Sequence, residues 1–256
     1  MAFQYIDVEE AKNHSGLRMV VVSGVPSPWG EAAKGILHIK GIEWVAVRLV
    51  YDSEPLKEWA GQRSGPVAIY DKEQPRSGWD QILLLAERLA PTPSLLPADP
   101  ADRALAFGIS HEICGEAGLG WSRRLQLIQA GLQNAGGFPE RIANYLGGKY
   151  GYSPETAAAA TPRVTGLLGM LAARLKAQHE EGSRYYIGNS LTAVDVYSAT
   201  FMAMFDPLPQ EQCEMAAGIR AAFESRDAQT ASALDPTLLK HRDMMYAQYL
   251  ELPLSL

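Results

Sequence analysis

Residues 90–100 constrain this chain more than any other stretch, because Pro91, Pro93, Pro97 and Pro100 fall within eleven positions. Proline fixes φ and removes an amide donor, so neither a helix interior nor a central strand can run through such a segment. The chain is therefore read as two parts joined by a linker over 91–100. Residues 17–90 mix β-rich runs with short helical patterns, and residues 101–256 are helical in pattern almost throughout. Residues 1–16 read as an N-terminal extension with no evident place in either part. At 256 residues the chain can bury a sizeable core without disulfides or a structural metal.

The first part opens with residues 17–23, centred on Met19, Val20, Val21 and Val22. An apolar, β-branched run of this length suits a strand buried on both faces. Gly24, Pro26 and Pro28 mark a turn, and 29–40 reads as a helix with Ala32, Ala33, Ile36, Leu37 and Lys40 at helical spacing and Gly41 as its stop. A second strand is expected over 42–50, parallel to the first if the helix crosses between them. A helical stretch at 54–60, a strand at 67–70, a short strand near Arg76 and a helix at 79–89 complete a small α/β layer with a mixed sheet. The second part is expected to hold helices at 101–116, 120–135, 162–181, about 192–205, near 209–225 and 236–249, with short helical pieces in 139–160. Thr192 is the expected N-cap of its helix, with Asp195 at N3 returning a bond to the Thr192 amide and Leu191 and Val196 forming a hydrophobic staple.

Charge and cysteine usage narrow the class of partner. The net charge is −6 and there is no basic block, which argues against nucleic acid and anionic membrane surfaces. No apolar run approaches the roughly 20 residues of a membrane span. The first residues lack the apolar core of a signal peptide, and two cysteines, Cys114 and Cys213, suit a reducing compartment, so a cytoplasmic location is expected. His111 and Cys114 stand one helical turn apart, but a zinc site wants three or four ligands. They read as a half-exposed histidine and a buried cysteine, and no metal is expected.

Four local features occur in order. Ser27, Pro28, Trp29 and Gly30 lead from strand to helix, with Lys40, Gly41 and Ile42 following; Gly65, Pro66 and Val67 open a strand; residues 85–91 close a helix; residues 188–195 hold the capping sequence. Together they resemble the cytosolic glutathione transferase family, in particular a serine-type, bacterial-like member, over roughly residues 18–250. The resemblance implies a thioredoxin-like N-terminal domain over 17–90, an all-helical bundle over 101–256, and a symmetric homodimer. It implies glutathione as co-substrate, activated as the thiolate for attack on a small, largely apolar electrophile in a detoxifying conjugation. A glutathione-dependent isomerase or lyase, or a non-catalytic binding protein of the same fold, are the alternatives.

On this resemblance Ser27 is the catalytic residue. It lies where a strand meets a helix, where unpaired amides and the helix dipole favour negative charge, and its hydroxyl would donate to the substrate sulfur. The competing reading is that Ser27 is an ordinary N-cap, and Ser23 is a nearby alternative. Trp29 either covers the site or fills the core. Gly65 and Pro66 match the family's cis-proline, whose preceding residue turns its backbone groups toward glutathione; an ordinary trans proline is the other reading. The family has Glu-Ser at the start of its third helix, and Ser77 and Gly78 stand there instead. Ser77 would take the γ-glutamyl carboxylate and Asp80 the ammonium, unless one of them merely caps the helix. Arg63 is near a basic residue of the family but reads better as a surface arginine. Trp121, Arg123 and Arg124 are candidates for the electrophile pocket, or for packing and surface.

Overall fold

The structure, a computed structural model, describes residues 4–256. A short strand β1 (Tyr5–Ile6) and helix α1 (Val8–Asn13) lead into β2 (Leu17–Val21), α2 (Pro28–Ile39), β3 (Trp44–Arg48), α3 (Glu54–Ala60), β4 (Val67–Tyr70) and α4 (Trp79–Leu89). The helical half follows as α5 (Pro100–Cys114), α6 (Leu119–Leu132), α7 (Glu140–Tyr150), α8 (Pro154–Glu180), α9 (Ala193–Phe201), α10 (Ala217–Glu224), α11 (Ala228–Ala233) and α12 (Pro236–Gln248). A single 3-10 turn, Met202–Met204, extends α9.

β2 is buried along its whole length because it lies inside the sheet, between β3 and β4. It pairs parallel with β3, Met19 opposite Ala46, and antiparallel with β4, Met19 opposite Ala68. A parallel neighbour requires a crossover, and α2 supplies it. The strand anticipated near Arg76 is reduced to one bridge, in which Ala68 and Arg76 exchange amide-to-carbonyl bonds of 2.8 and 2.9 Å.

Residues 4–16 are not a detached extension. β1 pairs parallel with β3 at the sheet edge, and α1 packs on α3, burying Ala11 with Val20, Val47 and Leu56 in a second apolar cluster. The physical reason is that this face of the sheet would otherwise present Val20, Val47 and Val67 to water. Residues 90–99 hold neither helix nor strand, yet they are fastened. Leu95 is buried, its amide donates to Glu87 and its carbonyl accepts from the Ala193 amide, while Lys40 Nζ bonds both Glu87 and the Pro93 carbonyl.

Two helical boundaries differ from the sequence reading. α8 begins eight residues before Pro162, which sits inside it. Ser153 and Thr156 close the N-terminus reciprocally, the Thr156 amide donating to Ser153 Oγ at 3.2 Å and the Ser153 amide to Thr156 Oγ1 at 2.8 Å. That box and the alanines at 157–160 hold the extra turns although the proline removes a donor. α10 begins at Ala217, not near 209, because Pro207 and Pro209 keep the preceding chain in turns.

α9 anchors the helical half. Asp195, fully buried, accepts the Thr192 amide at 2.8 Å as the capping sequence requires, and the Thr192 hydroxyl at 2.9 Å. It also accepts the Tyr186 amide (3.0 Å) and meets His241 Nε2 of α12 at 3.0 Å, ties that only the tertiary arrangement creates. α2 lies between the sheet and α9, so the two halves share one apolar core. Among the described residues no helix is long and apolar enough to cross a membrane.

Candidate active site

A cavity of about 1170 Å³ opens between the sheet layer and the helices. Its sheet-side wall is built where elements begin or end. The turn after β2 brings Ser23 and Ser27, the residues before β4 bring Gly65 and Pro66, and the start of α4 brings Ser77, Gly78 and Asp80. β4 runs antiparallel to β2 with Val67 opposite Val20, so the residues that enter β4 lie at the same sheet edge as the turn that leaves β2, which is why residues so far apart in sequence meet here.

Ser27 is the N-cap residue of α2, with Pro28 next, and it is 9% exposed. Its carbonyl accepts the Glu31 amide at 2.8 Å, but its hydroxyl makes no capping bond. Ser53 and Ser153, in the same position on α3 and α8, do cap, accepting the amides of Leu56 and Thr156 at 3.2 Å. The reading of Ser27 as an ordinary cap is therefore not what the structure shows. Its hydroxyl lies over the first turn, where a Cβ on Gly30 would stand 3.9 Å from Oγ, and the residue lines the cavity.

The start of α4 has the same character. Its N-cap is Gly78, which has no side chain to offer, and Ser77 lies one residue earlier and exposed. The Gly78 amide donates to Gln81 Oε1 at a long 3.4 Å. So neither Ser77 nor Asp80 acts as the N-cap, and the first-turn amides of α4 meet the cavity without a side-chain cap. The Gly65–Pro66 bond is cis. Arg63 is paired with Glu54 and does not line the cavity, whereas Gln62 and Ser64 do.

Trp29 does both things the sequence left open. It lines the cavity, and its Nε1 donates to the Cys114 carbonyl at 2.8 Å while its ring meets Phe201 edge-on at 4.9 Å. Gly120 makes room for this contact, since a Cβ there would stand 2.4 Å from a Phe201 ring carbon and 3.0 Å from Trp29.

The helical wall holds two of the three residues expected there. Trp121 and Arg124 line it, but Arg123 turns away. Successive helical residues point about 100° apart, and the buried Arg123 donates to the carbonyls of Met204 (3.0 Å), Phe223 (3.3 Å) and Ser225. It ties α6 to the chain after α9 and α10 and belongs to packing. His111 lines the cavity and is exposed, more so than the half-exposed state anticipated. Cys114 is buried, and desolvation pushes its thiol well above the usual range, which removes it as a nucleophile. Among the described residues no group of three His, Cys, Asp or Glu is placed to hold a metal.

Sequence reasoning missed Tyr51, Tyr145, Lys149 and Tyr150. Tyr51 and Tyr145 meet edge-on at 5.4 Å across the cavity, Trp121 meets Tyr150 at 4.7 Å, and Lys149 Nζ reaches Ser64 Oγ at 2.6 Å. The last three sit on α7, where the sequence shows only short helical pieces, so no pattern pointed to them.

No family model matches the chain, and no curated protein matches it in sequence. Its likeness to solved structures is clear. A glutathione S-transferase from Methylobacterium radiotolerans in complex with glutathione sulfonate is 20% identical and superposes with a TM-score of 0.61 over 91% of each chain. The chain has the glutathione transferase fold. A glutathione transferase family member from Pseudomonas fluorescens with two glutathione molecules bound shares that fold at 14% identity, a TM-score of 0.62 and 94% of each chain. A maleyl pyruvate isomerase, described as a bacterial glutathione S-transferase of the Zeta class, matches at 17% identity and a TM-score of 0.52, over 88% of this chain and 95% of that one. On this fold the thioredoxin-like layer is the sheet with α2 and α4, and the bundle is the remainder from α5 onward.

Proposed function

We propose that this protein binds glutathione along the sheet-side wall and holds its sulfur as the thiolate against Ser27, for addition to a small electrophile seated by the helical wall. One observation carries the reading: two helices, α2 and α4, start on the same cavity with first-turn amides that no side chain caps. Helix N-termini attract anions through free N–H groups and the dipole. A ligand bearing a thiolate and a carboxylate at its two ends matches two such termini. Glutathione sulfonate bound in one structural neighbour and glutathione in another support the choice of ligand.

Each residue then has a task. The Ser27 hydroxyl donates to the sulfur anion, and the α2 amides add their partial positive charge, so the thiol releases its proton to solvent more readily. Gly65 offers backbone groups to the peptide part. Ser77 and the α4 amides take the γ-glutamyl carboxylate, with Asp80 beside the ammonium. Serine cannot form a mixed disulfide, so addition is favoured over thiol exchange.

The test is a calorimetric titration with glutathione, joined to an ultraviolet pH titration of the bound thiolate. Binding together with a thiol pKa below the ordinary value of about 8.5 is the expected result. Binding with an unshifted thiol would leave a carrier of glutathione, and no binding would leave a fold put to another use.

A further inference from the structure

Arg124 faces the cavity without the partner a buried cation normally has. It is 8% exposed, its Nε has no hydrogen-bond partner, and among the described residues no carboxylate pairs with it. Its guanidinium lies 5.3 and 5.4 Å from the ring centroids of Phe138 and Phe223. Arg123, the next residue, satisfies its donors on carbonyls, so nothing in the helix forces this state on Arg124. Lys149 lines the same wall, bonded to a neutral hydroxyl and with no ion pair among the described residues. Its side chain is exposed overall, but partial desolvation at the wall lowers its pKa, and the positive charge of Arg124 lowers it further. Leaving a buried cation unpaired is costly, and such a group in a cavity wall is a candidate ligand contact.

From this arrangement we infer that the helical wall takes an acceptor substrate that is an aromatic carboxylate, with its anion held by Arg124 and Lys149 and its ring against Trp121, Tyr145 and Tyr150. This replaces the largely apolar electrophile expected from sequence. It rests on the reading that glutathione occupies the sheet-side wall. The charge of the carboxylate offsets two neighbouring cations at once.

Two matched probes test the inference: 2-naphthoate and 2-naphthamide, of nearly equal size and differing in charge, titrated calorimetrically into the full-length protein. The naphthoate binds about tenfold to a hundredfold tighter, as a charge-assisted bond in a sheltered site implies. Arg124→Gln abolishes that preference and leaves the amide's affinity unchanged. Lys149→Gln, an exposed change that spares the core, lowers the preference several-fold and serves if Arg124→Gln does not fold. Equal affinities in the wild type overturn the inference, as does a preference that survives both variants. Displacement of naphthoate by saturating glutathione, or weaker glutathione binding in Arg124→Gln, assigns the cation to glutathione's own carboxylates and also overturns it. If glutathione fails to bind while the naphthoate preference stands, the proposed function fails and the anion site remains.

Discussion

Replacing Ser27 by alanine separates two roles that a helix-start serine can have. A hydrogen bond to a charged acceptor contributes about 1.5–3 kcal/mol, and one pKa unit corresponds to about 1.36 kcal/mol. Ser27→Ala therefore raises the pKa of the bound thiol by about one to two units. The α2 amides persist in the variant, and their dipole contributes about 0.3–1 kcal/mol, so the thiol remains slightly more acidic than in free glutathione. The conjugation rate falls about tenfold to a hundredfold where the wild-type thiol is ionised and the variant's is not. The deficit narrows as pH rises through the variant's pKa, because both sulfurs are then anionic. Stability behaves differently. The Ser27 hydroxyl makes no capping bond, so its loss changes the unfolding free energy by less than about 0.5 kcal/mol. Ser53→Ala is the control: that hydroxyl does cap α3, so the variant loses about 1 kcal/mol of stability and keeps the wild-type thiol titration. Thiolate absorbance, pH profiles of kcat/KM and urea unfolding read the three quantities. The reasoning is refuted if Ser27→Ala loses a full kcal/mol of stability while the bound thiol titrates as before.

Three further outcomes follow from particular contacts. Asp195→Ala strands His241 and the amides of Tyr186 and Thr192 in the core, and urea unfolding shows a loss of about 3–5 kcal/mol. Gly120→Ala drives a methyl toward Phe201 and Trp29 and costs about 1–3 kcal/mol, with a shift in tryptophan emission that reports the movement of Trp29. Burial raises Cys213 to about 11 and Cys114 well above its ordinary range, so both resist thiol reagents at neutral pH in the native state and react on unfolding. Both folded-state values lie above the unfolded one. Their contribution to stability is thus complete below about pH 8.5 and is lost as pH climbs toward 11 for Cys213. Mass spectrometry after timed labelling, and unfolding measured across that window, check the two statements.

Local chemistry was legible wherever it repeats within a few residues. The run at 17–21 declared a buried strand, Val67–Tyr70 and Trp79–Leu89 fell where the patterns put them, and the Thr192–Asp195 pair marked a helix start. Proline misled where a stronger local device overrode it, as the Ser153–Thr156 box did ahead of Pro162. The candidate site was partly readable. Ser27, Trp29, Gly65, Pro66, Ser77 and Gly78, singled out by the resemblance to the glutathione transferases, all line one cavity.

Sequence by itself thus determined the strands and helices between residues 17 and 89 and the start of α9, since those depend on neighbours three or four positions away, but not β1, α1 or the starts of α8 and α10. Only the tertiary structure decided what the ends face. It withheld a cap from Ser27 while giving one to Ser53, sent Arg123 into packing and Arg124 to the cavity, and laid Tyr5 and Ile6 along the sheet edge. Those outcomes depend on groups dozens of residues distant, such as Met204 for Arg123 and Ser64 for Lys149, whose approach is set by the packing of helices against the sheet.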